Sequence, residues 1–209
     1  MARRSSRAER IVDAALELAE TVGWEAVRLR RVAERLGISA ADIRAEFRDR
    51  DAIADAWLAR ADAAMLAPPP AGFAALPARE RLFFAIMRWL DALAGHRRVT
   101  AQMLTAKRYP GHLHHNVALL LWLSRTVQWL REAAMLDAGG RQRRVEEIGL
   151  SALFVATLSQ WTRDDSPGQT ATREALARRL QIADRVMARL WPPARLRHED
   201  LAEKTTEEA

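Results

Sequence analysis

Val27 to Phe47 reads VRLRRVAERLGISAADIRAEF, and its spacing decides the fold. Leu29, Val32, Ala33 and Leu36 fall at i, i+3, i+4 and i+7, the period of a helix with one buried face. Gly37 follows, where a helix commonly stops in a left-handed turn that glycine enters cheaply. Ile38 plugs the turn. Ser39 can cap a second helix, because its hydroxyl can accept from a free N–H of the first turn. That helix, about Ala40 to Glu46, turns Ile43 and Phe47 inward. Two short helices meeting through a glycine turn make a helix-turn-helix, whose second helix fits the DNA major groove.

Working outward, Arg7 to Val22 is predicted helical, with Ile11, Ala14, Ala15, Leu18 and Val22 inward. Gly23 ends it and Trp24 anchors the bundle. Met1 to Ser6 is expected to be a disordered basic arm. Asp49 has the chemistry of an N-cap for a fourth helix, about Arg50 to Leu66, with Asp51 and Asp55 in or near its first turn. Pro68-Pro69-Pro70-Ala71-Gly72 breaks all helix and marks a boundary.

Ile11 to Trp57 resembles the DNA-binding domain of TetR-family transcriptional regulators. The resemblance rests on IVDAALELAETVGWEAV, on VAERLGIS, and on Phe47 with Asp49-Arg50-Asp51-Ala52-Ile53, which is similar to the family's F-P-S-K-E-A-L. It implies DNA contacts from Ser39, Ala40, Ala41 and Arg44 of the recognition helix. Arg28 lies before it, and Arg48 and Arg50 lie near the start of the next helix. The chain departs from the family's S-K-G-T-L-Y-H-H-F. Ala40 stands at the lysine position, Asp42 at the threonine, Arg44 at the tyrosine and Glu46 at the last histidine. Arg44 can replace a phosphate-contacting tyrosine. Asp42 and Glu46, four apart, share a face. That face would repel phosphate, accept from cytosine N4, or point to solvent or to Arg30 and Arg31.

The chain has 209 residues, 49% of them hydrophobic, and carries a net charge of +6. Alanine, leucine and arginine dominate, which favours an all-α fold. A sequence pI near 10.9 suits a polyanionic partner. Residues 1–65 nevertheless hold as many acids as arginines, so positive charge there is local. Arg3, Arg4, Arg7 and Arg10 face only Glu9, and Arg28, Arg30, Arg31 and Arg35 face only Glu34. Both clusters can meet phosphates. Without cysteine there is neither a disulfide framework nor thiolate chemistry. Met1 to Arg10 is too polar for a signal peptide, and the longest apolar run, Val117 to Leu123, is far short of a membrane span. A cytoplasmic protein is the expectation.

Further helices are predicted over Arg79–Ala94, Val99–Arg108, about His114–Leu136, Arg143–Arg163 and Thr170–Leu190. Leu82, Phe83, Ile86, Met87, Leu90 and Leu93 share a face of the first of these. Val145, Ile148, Leu150, Leu153, Phe154, Ala156, Leu158 and Trp161 form the apolar set of the fourth, and Leu176, Leu180, Ile182 and Val186 that of the last. Tyr109-Pro110-Gly111, Ala138-Gly139-Gly140 and Asp164-Asp165-Ser166-Pro167-Gly168 are turns. The tail beyond Trp191-Pro192-Pro193 is expected to be disordered.

Nine helices in this order resemble a TetR-family regulator from end to end. That resemblance implies an N-terminal helix-turn-helix domain (1–48), a connecting helix (49–67), a helical ligand-binding and dimerisation domain (77–191) and a tail (192–209). It also implies a homodimer on a palindromic double-stranded operator, released by a small apolar ligand. Ser151–Leu158 with Trp161 and Arg163-Asp164-Asp165-Ser166-Pro167 adds a second echo, as do Arg81-Leu82-Phe83, Met87-Arg88 and Asp91-Ala92-Leu93-Ala94. These are similar to TetR-like lipid-binding accessory proteins of ubiquinone biosynthesis, which keep the fold without repressing. Met87, Leu90, Met103, Trp122, Trp129 and Phe154 would give a ligand site apolar, adaptable walls. Leu150, Leu153, Leu176 and Leu180 are the candidate dimer contacts.

His112, His114 and His115 sit beside a Pro-Gly turn without cysteine or a neighbouring carboxylate, so no metal site is expected. No Gly-rich phosphate loop is present, and Asp164-Asp165 suits a helix end better than a catalytic pair. No nucleophile, base and orienting group assemble, and neither enzyme activity nor a cofactor is expected.

Overall fold

The computed structural model describes the backbone of residues 6–107 and 113–192, and the side chains of 6–106 and 123–192. The described residues form nine α-helices and no strand. They are α1 (Arg7–Val22), α2 (Leu29–Leu36), α3 (Ala40–Glu46), α4 (Arg50–Leu66), α5 (Ala78–Leu93), α6 (Arg97–Lys107), α7 (Leu113–Ala133), α8 (Gly140–Trp161) and α9 (Thr170–Leu190). The expected basic arm, the turn at Tyr109-Pro110-Gly111, His112, the side chains of His114, His115 and Trp122, and the tail beyond Pro192 lie outside what the structure describes.

The first four helices begin and end where their caps place them. Ser6 and Glu9 form a reciprocal capping box at the start of α1. Gly37 ends α2 at φ 64°, ψ 33°, a left-handed conformation that costs glycine little. Asp49 accepts from the Ala52 N–H at 2.8 Å and starts α4. Other boundaries shift: α8 runs from Gly140 to Trp161 rather than from Arg143 to Arg163, taking in the expected turn residue Gly140. α7 stops at Ala133 rather than running to Leu136, because Met135 takes φ 52° and the Leu136 N–H turns back to the Arg131 carbonyl. The Arg131 guanidinium holds that turn by donating to the Leu136 and Ala138 carbonyls and pairing with Glu146 on α8. α6 starts two residues earlier than its apolar spacing predicts, following a short 3-10 turn at Ala94–His96.

Among the described residues one apolar core runs from α1 to α9. Ile11, Ala15 and Leu16 of α1 meet Trp24, Val32, Ile43 and Phe47 at the N-terminal end. α4 packs along α5, and α5 in turn contacts α7, α8 and α9. Trp89, Leu90, Leu93, Phe154 and Trp161 fill the centre without solvent exposure. Val22, Val145, Ile148, Ile182 and Val186, expected inward, are instead exposed: each helix has more apolar positions than the core side of its circumference holds.

The start of α6 lies against the N-terminal bundle. The Trp24 N–H donates to Gln102 Oε1 at 2.7 Å, and Trp57 Nε1 donates to Thr100 Oγ1 at 2.9 Å. His96 Nδ1 sits 2.9 Å from Glu20 Oε1, and the Arg98 guanidinium donates to the Glu20 carbonyl. No helix among the described residues is long and apolar enough to cross a membrane.

Candidate nucleic-acid interface

α3 is held by its own first turn. The Asp42 N–H donates to Ser39 Oγ at 3.1 Å, while Asp42 Oδ2 accepts from the Ser39 N–H at 3.0 Å and hydroxyl at 2.6 Å. Ile43 and Phe47 are buried against Val32 and the N-terminal core, which fixes the rotation of the helix. Ala41 and Ala45 lie about 200° from Ile43 on either side, so they face outward, and both are exposed. Arg44 occupies one flank and Asp42 the other.

Asp42 therefore does not turn to Arg30 and Arg31. Its second oxygen accepts from Arg7 Nη1 at 3.0 Å. The side-chain and backbone hydrogen bonds from Ser39, with the nearby Arg7 charge, hold the Asp42 carboxyl below the ordinary carboxylate range. Oδ2 is thus committed to Ser39, and Oδ1 accepts from Arg7. Glu46 is exposed and makes no hydrogen bond or ion pair among the described residues.

The arginines divide into two sets. Arg30, Arg31 and Arg44 are exposed and make no hydrogen bond or ion pair among the described residues. Arg28 is exposed while donating to the Glu25 carbonyl at 2.9 Å, and Arg48 pairs with adjacent Asp49 at 3.1 Å. Arg50 differs from its expected role. Its guanidinium donates to the carbonyls of Trp24 and Glu25 at 3.2 and 2.9 Å, pairs with the Glu25 carboxylate at 3.3 Å, and lies 5.6 Å from the Trp24 ring centre. It braces the turn before α2 rather than reaching outward. Ser39, Ala40 and Ala41 are all exposed at the start of α3, as a groove-facing helix requires. Arg7 stood in the basic N-terminal cluster, but its pairing with Asp42 escaped the sequence reading. Its neighbour Ser6 signals a helix start, but nothing local shows that α1 brings residue 7 to residue 42.

A sequence profile for bacterial regulatory proteins of the tetR family matches residues 11–57, which are α1 through the middle of α4. A TetR transcriptional regulator from Nitrosomonas europaea, known from its crystal structure, is 44% identical over 85% of this chain and 97% of that one, with a TM-score of 0.76. The chain belongs to the TetR family of bacterial regulatory proteins. A TetR transcriptional regulator from a Rhodococcus species shares the fold at 15% identity and a TM-score of 0.60, over 83% of this chain and 92% of that one. No protein of curated function matches.

The C-terminal helices of this TetR-family regulator separate the remaining candidates. Met87, Leu90, Met103 and Phe154 come together as buried core, with Phe154 edge-on to Trp89 at 5.2 Å. Trp129 does not join them: it is 51% exposed on α7. Leu150, Leu153, Leu176 and Leu180, expected at a dimer contact, are buried within the chain's own core. Their helices carry other apolar side chains outward. Ile148 is 72% exposed and Ile182 60%, with Val155, Val186 and Leu190 exposed beside them. Residues 148, 152 and 155 recur at helical spacing, and so do 182, 186 and 190, so each helix presents an apolar stripe.

Proposed function

We propose that this regulator represses transcription in the cytoplasm. As a homodimer it places α3 of each subunit in successive major grooves of a palindromic operator, and it lets go when a small apolar molecule binds among α5–α8. In this reading residues 1–48 hold the DNA, 49–67 connect, and 77–191 take the ligand and pair the subunits. The observation that carries the reading is the exposed, unpaired trio Arg30, Arg31 and Arg44 around a capped α3 whose outward residues are alanines. Small side chains let a helix approach base edges closely, and alanine makes apolar contact with the thymine methyl. Arg44 is the side chain on α3 able to make a bidentate contact with guanine.

The pairing surface is read from the outward stripes of α8 and α9, since contiguous exposed apolar side chains mark interaction sites. A two-fold axis there would set two recognition helices about one turn of DNA apart. The ligand region is read from Met87, Leu90, Met103 and Phe154, with Trp122. Nearby on α7 the Thr126 hydroxyl is buried without a hydrogen-bond partner among the described residues, a polar atom in apolar walls. The contacts of Thr100 and Gln102 with Trp57 and Trp24 supply a path from α6 to the DNA-binding end.

Gel retardation tests the reading, using duplexes selected from random sequence by the purified protein. A selected duplex should be retarded with affinity falling steeply as salt rises, and Arg44→Ala should weaken it about tenfold. Failure to enrich or retard any duplex at low salt overturns the reading.

A further inference from the structure

Asp42 sits where a carboxylate should hinder DNA binding, on the exposed flank of α3. We propose that Asp42 is a positioning residue that holds Arg7 against the side of α3 opposite Arg44, so that each flank of the helix presents a cation to one of the two DNA strands. The inference rests on the DNA-binding reading above.

An α-helix with its side chains is about 10–12 Å across, and the major groove is about 12 Å wide. A helix in that groove therefore lies between two rows of phosphates, one along each flank. On α3 the flanks differ in sequence. One carries Arg44, about 100° round the helix from buried Ile43, and the other carries Asp42 at the same angle in the opposite sense. Left bare, the second flank would set a carboxylate beside a phosphate row.

The structure supplies a cation there from another helix. Arg7, in the first turn of α1, donates through Nη1 to Asp42 Oδ1 at 3.0 Å and keeps half of its side chain in solvent. A guanidinium has five N–H donors in a planar fork, so one bond to Asp42 leaves four for a phosphate. The other Asp42 oxygen is fixed by the Ser39 N–H and hydroxyl. The carboxylate is thus anchored on one side and bonds Arg7 on the other. An exposed ion pair adds little to folding, so its effect falls on where Arg7 points.

The test measures affinity against salt for the full chain on two probes, a selected duplex and a mixed-sequence duplex of equal length. The proteins are wild type, Arg7→Ala, Asp42→Asn and the double variant. Each lost phosphate contact should lower the slope of log affinity against log salt by about 0.9. Arg7→Ala should therefore lose about 0.9 per half-site, with roughly a three- to tenfold loss of affinity near physiological salt. Asp42→Asn removes a negative charge from the DNA-facing side, yet it should weaken binding and lower the slope in the same direction. The double variant should bind no worse than Arg7→Ala alone, since Asp42 acts through Arg7.

Circular dichroism and thermal unfolding confirm that each variant is folded at the binding temperature. A capping role alone would shift the unfolding temperature and leave the salt slope unchanged, which would overturn the proposal. Tighter binding by Asp42→Asn, or losses from the two single variants that simply add, would overturn it as well. If wild type retards neither duplex, the DNA-binding reading itself falls and takes this inference with it. A wild type that binds while Asp42→Asn keeps its slope sinks the inference alone.

Discussion

α2–α3 and α8–α9 are both pairs of successive, contacting helices, and they dispose of their apolar residues in opposite ways. α2 and α3 bury Val32, Ile43 and Phe47 and leave arginines, alanines and Glu46 outside. α8 and α9 bury Leu150, Leu153, Phe154, Leu176 and Leu180 and still leave Ile148, Val155, Ile182 and Val186 in solvent. The first pair is finished as a fold and offers charge. The second has apolar surface left over, which water does not favour. The chain thus leaves charge exposed at one end and apolar side chains exposed at the other.

The largest expected effect breaks this contrast at the α8–α9 end. Replacing Ile148 and Ile182 together by glutamate should convert the protein to monomers, weakening association at least about 100-fold, because each uncompensated buried carboxylate costs several kcal/mol and a two-fold interface carries each twice. Sedimentation across a range of concentrations measures it. Helicity should stay unchanged, since both side chains already face solvent within the chain. A double variant that sediments like wild type would show that this face does not pair subunits.

The two connections also share a clasp. Asp42 accepts from the N–H and hydroxyl of Ser39, and Asp164 accepts from the N–H and hydroxyl of Ser166. Asp164 accepts as well from the N–H and hydroxyl of Thr172, tying the end of α8 to the start of α9. The surroundings separate the two: Asp42 stands at the surface, whereas Asp164 is buried. Burial pushes the Asp164 carboxyl up, but the bonds from Ser166 and Thr172 outweigh it and hold the group well below the ordinary carboxylate range. A carboxyl depressed on folding contributes stability that is present above its unfolded value, about 3.9, and is lost as pH falls toward its folded value. Asp164→Asn should therefore cost about 2 kcal/mol at pH 7, where it leaves donors of Ser166 or Thr172 unmatched. The gap to wild type should narrow below about pH 4. Urea unfolding at pH 7 and pH 3 measures both, and a pH-independent gap would mean that the charge on Asp164 contributes nothing.

Sequence spacing revealed the fold because its signals are local. The period of Leu29, Val32, Ala33 and Leu36, the glycine at 37 and the caps at Ser39 and Asp49 each act within a turn or two of themselves, and the structure keeps all of them. The end of α7 was not legible, because Met135 stops it in a left-handed conformation that tertiary contacts of Arg131 stabilise. The site was legible in its helices but not in its side chains. Whether Ile148 or Leu150 faces the core depends on how α8 is rotated against α5 and α9, and both belong to one apolar run. The roles of Arg7, Arg50 and Asp42 depend on partners 35, 26 and 35 residues away, beyond any spacing rule.

Arg50 gives the smallest effect and sharpens the comparison within the DNA-binding end. By sequence it is one more arginine near a helix start. In the structure its guanidinium closes the turn at Trp24 and Glu25 through two carbonyls, a carboxylate and the Trp24 ring. Arg50→Ala should then lower stability by about 1 kcal/mol, the scale of a hydrogen-bond set with a cation–π contact at a partly exposed site. It should leave the salt slope of DNA binding unchanged, because a guanidinium already surrounded by protein acceptors releases no counterion from DNA. Arg44→Ala should do the reverse, reducing affinity with little change in unfolding, since Arg44 makes no hydrogen bond or ion pair among the described residues. Chemical denaturation and a salt titration of the retarded complex, run on both variants, separate the two roles. A reduced slope for Arg50→Ala would move Arg50 from the brace to the phosphate-contacting set, and the α2–α3 end would then commit one more of its cations to its partner than its folded contacts indicate.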